Sequence, residues 1–159
     1  MLYASLKVFH LLATIAWVGG MFFMLFVLRP AAAAVLEGPP RARLLHATLA
    51  RFLDVVVIAA VVILLSGAAM FGAAWRSAAT AGVVFNVPLD WYVMIALFIV
   101  MAGVVVFIRQ RLLRRLSAAV AAEAWPDSAR IHATIRTAVL LNLALGVFIV
   151  FIVRLGAAS

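Results

Sequence analysis

The sequence predicts an all-α protein: a single-domain, up-down bundle of four transmembrane helices. Three observations predict it. The chain is 69% hydrophobic and 11% charged over 159 residues, where a soluble domain of this length is about half apolar and a quarter charged. That surplus cannot be hidden in one small core, so lipid must face it. The apolar residues gather into four runs, at about 8–28, 55–75, 91–108 and 137–153. Each is long enough to cross roughly 30 Å of hydrocarbon as a helix. The arginines collect between those runs.

The first helix is expected from about Ser5 to Leu28 and to stop at Arg29-Pro30, because proline cannot continue the hydrogen-bond ladder. Its apolar run exceeds the roughly 7–15 residues of a signal-peptide core, so it is read as a span. Glu37-Gly38-Pro39-Pro40 breaks the chain next. An interfacial stretch from Arg41 to Asp54 precedes the second core. Arg51 and Asp54, one turn apart, are expected to pair there. Arg76 to Leu89 reads as a loop with Asn86-Val87-Pro88 as its breaker, and Asp90 as the N-cap of the third helix. A basic amphipathic connection from Arg109 to Ala124 follows, closed by Trp125-Pro126-Asp127. Short connections make consecutive helices antiparallel neighbours. Gly19-Gly20 and the Ala68/Gly72 step are expected to let helices approach closely. Leu45-His46-Ala47-Thr48-Leu49 resembles Ile131-His132-Ala133-Thr134-Ile135. A duplicated helix pair and a chance match account for this equally well.

The formal net charge is +8, which in a soluble chain would suggest nucleic acid. No basic face is combined with a soluble fold here, so no nucleic-acid partner is expected. Arg29, Arg41, Arg43, Arg51, Arg109, Arg111, Arg114, Arg115, Arg130 and Arg136 fall on the connections after the first and third spans. Lys7, Arg76 and Arg154 fall on the other side. The positive-inside rule then places both termini in the periplasm of a bacterial inner membrane. Trp75, Trp91 and Tyr92 would form an aromatic belt on that outer face. The chain has no cysteine, which excludes thiolate metal sites, covalent CxxCH haem attachment and cysteine-held iron–sulfur clusters.

His10 is the only Asp, Glu, Lys, Arg or His inside the four apolar runs. A costly group at that depth is a functional-site candidate. Helical spacing stacks His10, Thr14, Trp17, Met21 and Met24 on one side, which should face the bundle. Three readings of His10 stand: a histidine hydrogen-bonded to a neighbouring helix, a metal or haem ligand, or a group with a substrate or proton-transfer role. Met70 and Met94 are expected near the same depth. Imidazole with thioethers is a soft set suited to Cu(I), although methionine is also an ordinary gap-filler. His46 and His132 fall on the arginine-rich side. They read either as interfacial histidines or as a bis-histidine pair holding haem b, with nearby arginines on its propionates. Ser66 and Asn142 are expected to hydrogen-bond between helices. No HExxH, nucleophile elbow or carboxylate pair within a span points to catalysis. An enzyme, were it one, would be a haem-dependent membrane oxidoreductase.

Lys7-x-x-His10, Trp17-Val18-Gly19-Gly20-Met21-Phe22-Phe23 and Leu28-Arg29-Pro30 together resemble the first helix of CopD-like (copper-resistance protein D-like) integral membrane proteins. Arg51-Phe52, Ser66-Gly67, Leu113-Arg114-Arg115-Leu116, Trp125-Pro126 and Ile135-Arg136 through Asn142-Leu143-x-Leu145-Gly146 fit its small four-span branch, so the resemblance covers nearly the whole chain. HemJ-type haem-b-binding protoporphyrinogen oxidases share the Lys-x-x-His…Trp-x-Gly pattern. Their Tyr-Leu-Pro-Arg sequence is replaced here by Met24-Leu25-Phe26-Val27. The resemblance implies copper uptake or homeostasis with a periplasmic copper carrier, and it carries over His10 as a site residue. Relatives often have further histidines in the middle spans, and this chain has none there. Three functions are therefore expected to compete: copper handling, a haem-b redox role, and an accessory subunit of a larger membrane complex. Oligomerisation is left open.

Overall fold

The computed structural model describes residues 2–156, with side chains described for 3–153. It consists of four long helices, with no strand among the described residues. Helix α1 spans residues 2–35, α2 Gly38–Thr80, α3 residues 89–121 and α4 Trp125–Gly156. All four are long and apolar enough to cross a membrane.

The expected stop at Pro30 does not occur. Helix α1 is α-helical over Leu2–Phe22, π-helical over Phe23–Leu28 and α-helical again over Arg29–Val35. In the π segment the Arg29 N–H bonds the Met24 carbonyl, five residues back rather than four. Pro30 then falls in the first turn of a renewed α segment, where a missing N–H is tolerated. The real break is at Leu36 and Glu37, both extended. Gly38 follows with φ +52°, a conformation glycine adopts without steric cost, and Pro39 and Pro40 enter the first turn of α2.

The segments expected as interfacial connections are helical extensions. Arg41 to Asp54 belongs to α2, and Arg109 to Ala121 continues α3 through a second π segment, Ile108–Leu112. The helices thus project past their apolar runs at the arginine-rich end. Asp90 does not cap α3. Pro88 occupies the N-cap position and Asp90 lies in the first turn, where its charge complements the helix dipole. Nor does Asp54 pair with Arg51; its Oδ1 accepts from Arg109 Nη1 of α3, a partner that sequence separation hides. Arg43 of α2 donates to Glu123 at 2.8 Å and lies 5.3 Å over the Trp125 ring, which clasps α2 to the α3–α4 turn. These exposed pairs contribute about 1 kcal/mol or less each.

Helix α1 packs mainly along α2 and α3 along α4; α1–α4 and α2–α3 contacts close the ring. The stripe predicted on α1 does face inward: Trp17, Met21 and Met24 are buried. Trp17 reaches across the bundle to meet Phe98 edge-on, with centroids 6.1 Å apart. Gly20 faces the Phe52 ring of α2, where a Cβ would collide. At Gly146 a Cβ would lie 3.0 Å from Val18 Cγ2 and 3.2 Å from Met101 Cε, so α4 approaches α1 and α3 closely there. Gly19 and Gly72 meet nothing within 4 Å and Ala68 is exposed. The Ala68/Gly72 step is therefore not a crossing point within the chain. At the opposite end from the arginines, Phe85 of the α2–α3 loop packs among Phe71, Trp75 and Trp91, while Tyr92 is exposed.

The outer surface of the spans is apolar. Phe9, Leu12, Ile15, Ile58, Leu65, Ile99 and Leu141 are each more than half exposed. No more than 28% of any span's apolar window is buried within the protein. A continuous apolar girdle of this kind is solvated by lipid, not water. The chain is a multi-pass membrane protein.

Candidate metal centre

His10 is held by the neighbouring helix. Its Nδ1 lies 2.9 Å from Ser66 Oγ. The Ser66 hydroxyl has one proton, which it donates to the Val62 carbonyl. With that proton on the Val62 carbonyl, Ser66 Oγ is assigned as the acceptor from His10 Nδ1–H. In that tautomer Nε2 carries the lone pair. The ring packs over Gly67, where a Cβ would lie 3.5 Å from His10 Cε1 in ordinary van der Waals contact. Thr14 Oγ1 donates to the His10 carbonyl at 2.8 Å, so that hydroxyl is spent on its own helix.

A cavity of about 60 Å³ opens beside this imidazole, lined from all four helices. His10, Thr14, Trp17 and Val18 come from α1, Ile63 from α2, Met94, Phe98 and Met101 from α3, and Gly146 and Ile149 from α4. Met94, Phe98 and Met101 recur at helical spacing, so one face of α3 brings two thioethers to the same space. The buried Trp17 Nε1 has no hydrogen-bond partner. By this measure a water needs about 10–15 Å³, so the cavity has room for an ion with a few waters.

Of the three ligands expected from sequence, His10 and Met94 line this cavity and Met70 does not. The His10–Ser66 contact sets the register of α1 against α2. Met70, four residues beyond Ser66, then falls one turn past His10. The interhelical hydrogen bond expected of Ser66 is present, but neither its partner His10 nor the contribution of Met101 follows from the sequence reading. The i, i+4, i+7 stripe Met94, Phe98, Met101 was the available signal. Among the described residues there is no group of three His, Cys, Asp or Glu side chains that could hold a metal ion. The soft donors that line the cavity are the His10 imidazole and the Met94 and Met101 thioethers.

His46 and His132 lie near each other at the arginine-rich end but line no common cavity. His46 Nε2 lies 2.8 Å from Ser117 Oγ of α3. His132 lines a separate cavity of about 30 Å³ between α1, α2 and α4, to which His46 does not contribute. Deeper in the bundle, Asn142 Nδ2 lies 3.7 Å from Met21 Sδ, while its buried Oδ1 has no partner. An unpaired buried acceptor costs about 1–3 kcal/mol. Asn142→Leu is therefore expected to leave stability unchanged or to raise it by about 1 kcal/mol, read from unfolding in a denaturing-detergent titration. A clear loss of stability would mean that the carboxamide has a partner.

No family model, curated protein or solved structure matches this chain.

Proposed function

We propose that this chain is a small CopD-like protein of copper handling in a bacterial inner membrane, with both termini in the periplasm. His10 Nε2 and the thioethers of Met94 and Met101 would hold Cu(I) as cargo near the periplasmic face. One observation carries the proposal: His10, with Nδ1 held 2.9 Å from Ser66 Oγ, lines a cavity also lined by Met94 and Met101. A neutral imidazole with soft sulfur donors selects Cu(I) over hard cations. The first-helix resemblance and the arginine asymmetry add family and orientation.

The test is a titration of the purified protein in detergent with Cu(I), under reducing anaerobic conditions, against a chromogenic Cu(I) chelator. One equivalent is expected to be retained. Ser66→Ala, which removes the group orienting the ligand, is expected to weaken retention about tenfold, and His10→Ala to weaken it further. No retention above detergent alone, or full retention by His10→Ala, overturns the proposal. A visible haem Soret band in the purified protein would also overturn it as the main role.

A further inference from the structure

We propose a second site, at the arginine-rich end, that binds the phosphate group of an anionic phospholipid. Arg29 of α1 and Arg136 of α4 both line the cavity that holds His132. The Arg29 charge interacts unfavourably with those of Arg136 and Arg41. The ion pairs among the described residues are Arg43–Glu123, Arg109–Asp54 and Arg130–Asp127; none involves Arg29, Arg41 or Arg136. Two guanidinium groups, Arg29 and Arg136, thus share one cavity without a carboxylate, the first of them half-buried, an arrangement that costs free energy until an anion joins it.

A second observation points at the same ligand. His132 is 7% exposed and its buried Nε2 has no hydrogen-bond partner. The ring hydrogen-bonds the Ala42 backbone, which leaves Nε2 as the lone-pair nitrogen of the neutral imidazole; it would donate to a phosphate oxygen once it takes up a proton beside that anion. Arginine forks match phosphate oxygens bidentately. The rest of the lining is apolar, including Met24, Leu49, Phe52 and Val139.

Depth selects lipid over free phosphate. Arg29 directly follows the first apolar run and Arg136 directly precedes the fourth. The charged rim is therefore at headgroup level and the apolar floor at the level of the first acyl carbons. Basic pockets between transmembrane helices recognise anionic headgroups in this way.

The experiment uses the full chain, delipidated in neutral detergent. Native mass spectrometry reads bound phosphatidylglycerol, with phosphatidylcholine and inorganic phosphate as separate arms. The wild type is expected to retain phosphatidylglycerol selectively. Arg29→Gln/Arg136→Gln is expected to lose about tenfold or more, since each arginine–phosphate contact is a charge-assisted hydrogen bond. Arg111→Gln/Arg114→Gln removes the same charge from exposed positions on α3 and is expected to retain the lipid. Arg29→Lys/Arg136→Lys keeps the charge, so it reports on binding if the glutamine variant fails to fold; it is expected to lose an intermediate amount. Equal loss in the Arg111/Arg114 variant, equal retention of phosphatidylcholine, or displacement of the lipid by millimolar inorganic phosphate each overturns the proposal.

Discussion

Trp17→Ala is expected to destabilise the bundle by about 3–5 kcal/mol, the range for losing a large aromatic from a packed core. The indole is 2% exposed, meets Phe98 across the bundle axis and walls the cavity beside His10. Lipid cannot enter the void that alanine leaves, so the loss is of packing contacts rather than of solvent transfer. Trp17→Phe is the informative partner variant. It keeps most of the ring contact and removes an N–H that is buried without an acceptor, a group whose unpaired burial costs about 1–3 kcal/mol. Phenylalanine should therefore cost much less than alanine in the same unfolding titration. If the two cost the same, the indole N–H has a partner.

Gly20→Val is expected to cost about 1–3 kcal/mol through overpacking. Even the first side-chain carbon at position 20 would run into the Phe52 ring, and valine is stiff about χ1, so either the ring or the α1–α2 crossing must move. Phe52→Ala should relieve part of that cost. The double variant is expected to be less destabilised than the sum of the singles, with a coupling of about 0.5–3 kcal/mol. Additivity would mean that the two helices separate elsewhere. Phe52 also lines the His132 cavity, so Gly20→Val is a remote way to disturb that cavity.

The fold class was legible because lipid solvation leaves a coarse signal: four apolar runs with arginines between them. Helix ends were less legible. Pro30 signals a stop only if the ladder keeps its i−4 register; the shift to i−5 at Arg29 removes the conflict without ending the helix. Charge pairing failed for a related reason. Asp54 has an arginine one turn away in sequence, yet accepts from Arg109 on another helix, and no local rule anticipates that choice. At the candidate site, sequence placed His10 on an inward stripe but not its azimuthal neighbours. Met70 and Met94 looked equivalent by depth. The hydrogen bond to Ser66 sets a register between α1 and α2 that separates them. A side chain's partner on another helix is a property of two helices at once, and one helix's periodicity cannot contain it.

The connections between the helices have a consequence for how the chain is made. Only Leu36 and Glu37 separate α1 from α2, and Ala122–Ala124 separate α3 from α4, while residues 81–88 join the two pairs. The tight joints coincide with the most extensive packing, α1 on α2 and α3 on α4. Each pair is therefore a helical hairpin that can close as soon as its second member leaves the insertion machinery, with little loop entropy to overcome. The molecule is then two prefabricated halves, and co-expressing residues 1–84 and 85–159 as separate chains should reconstitute the bundle. Co-purification of the two fragments through a tag on one of them reads the outcome directly. If neither fragment retains the other, assembly depends on the covalent link at 81–88 and not on the packing between the halves.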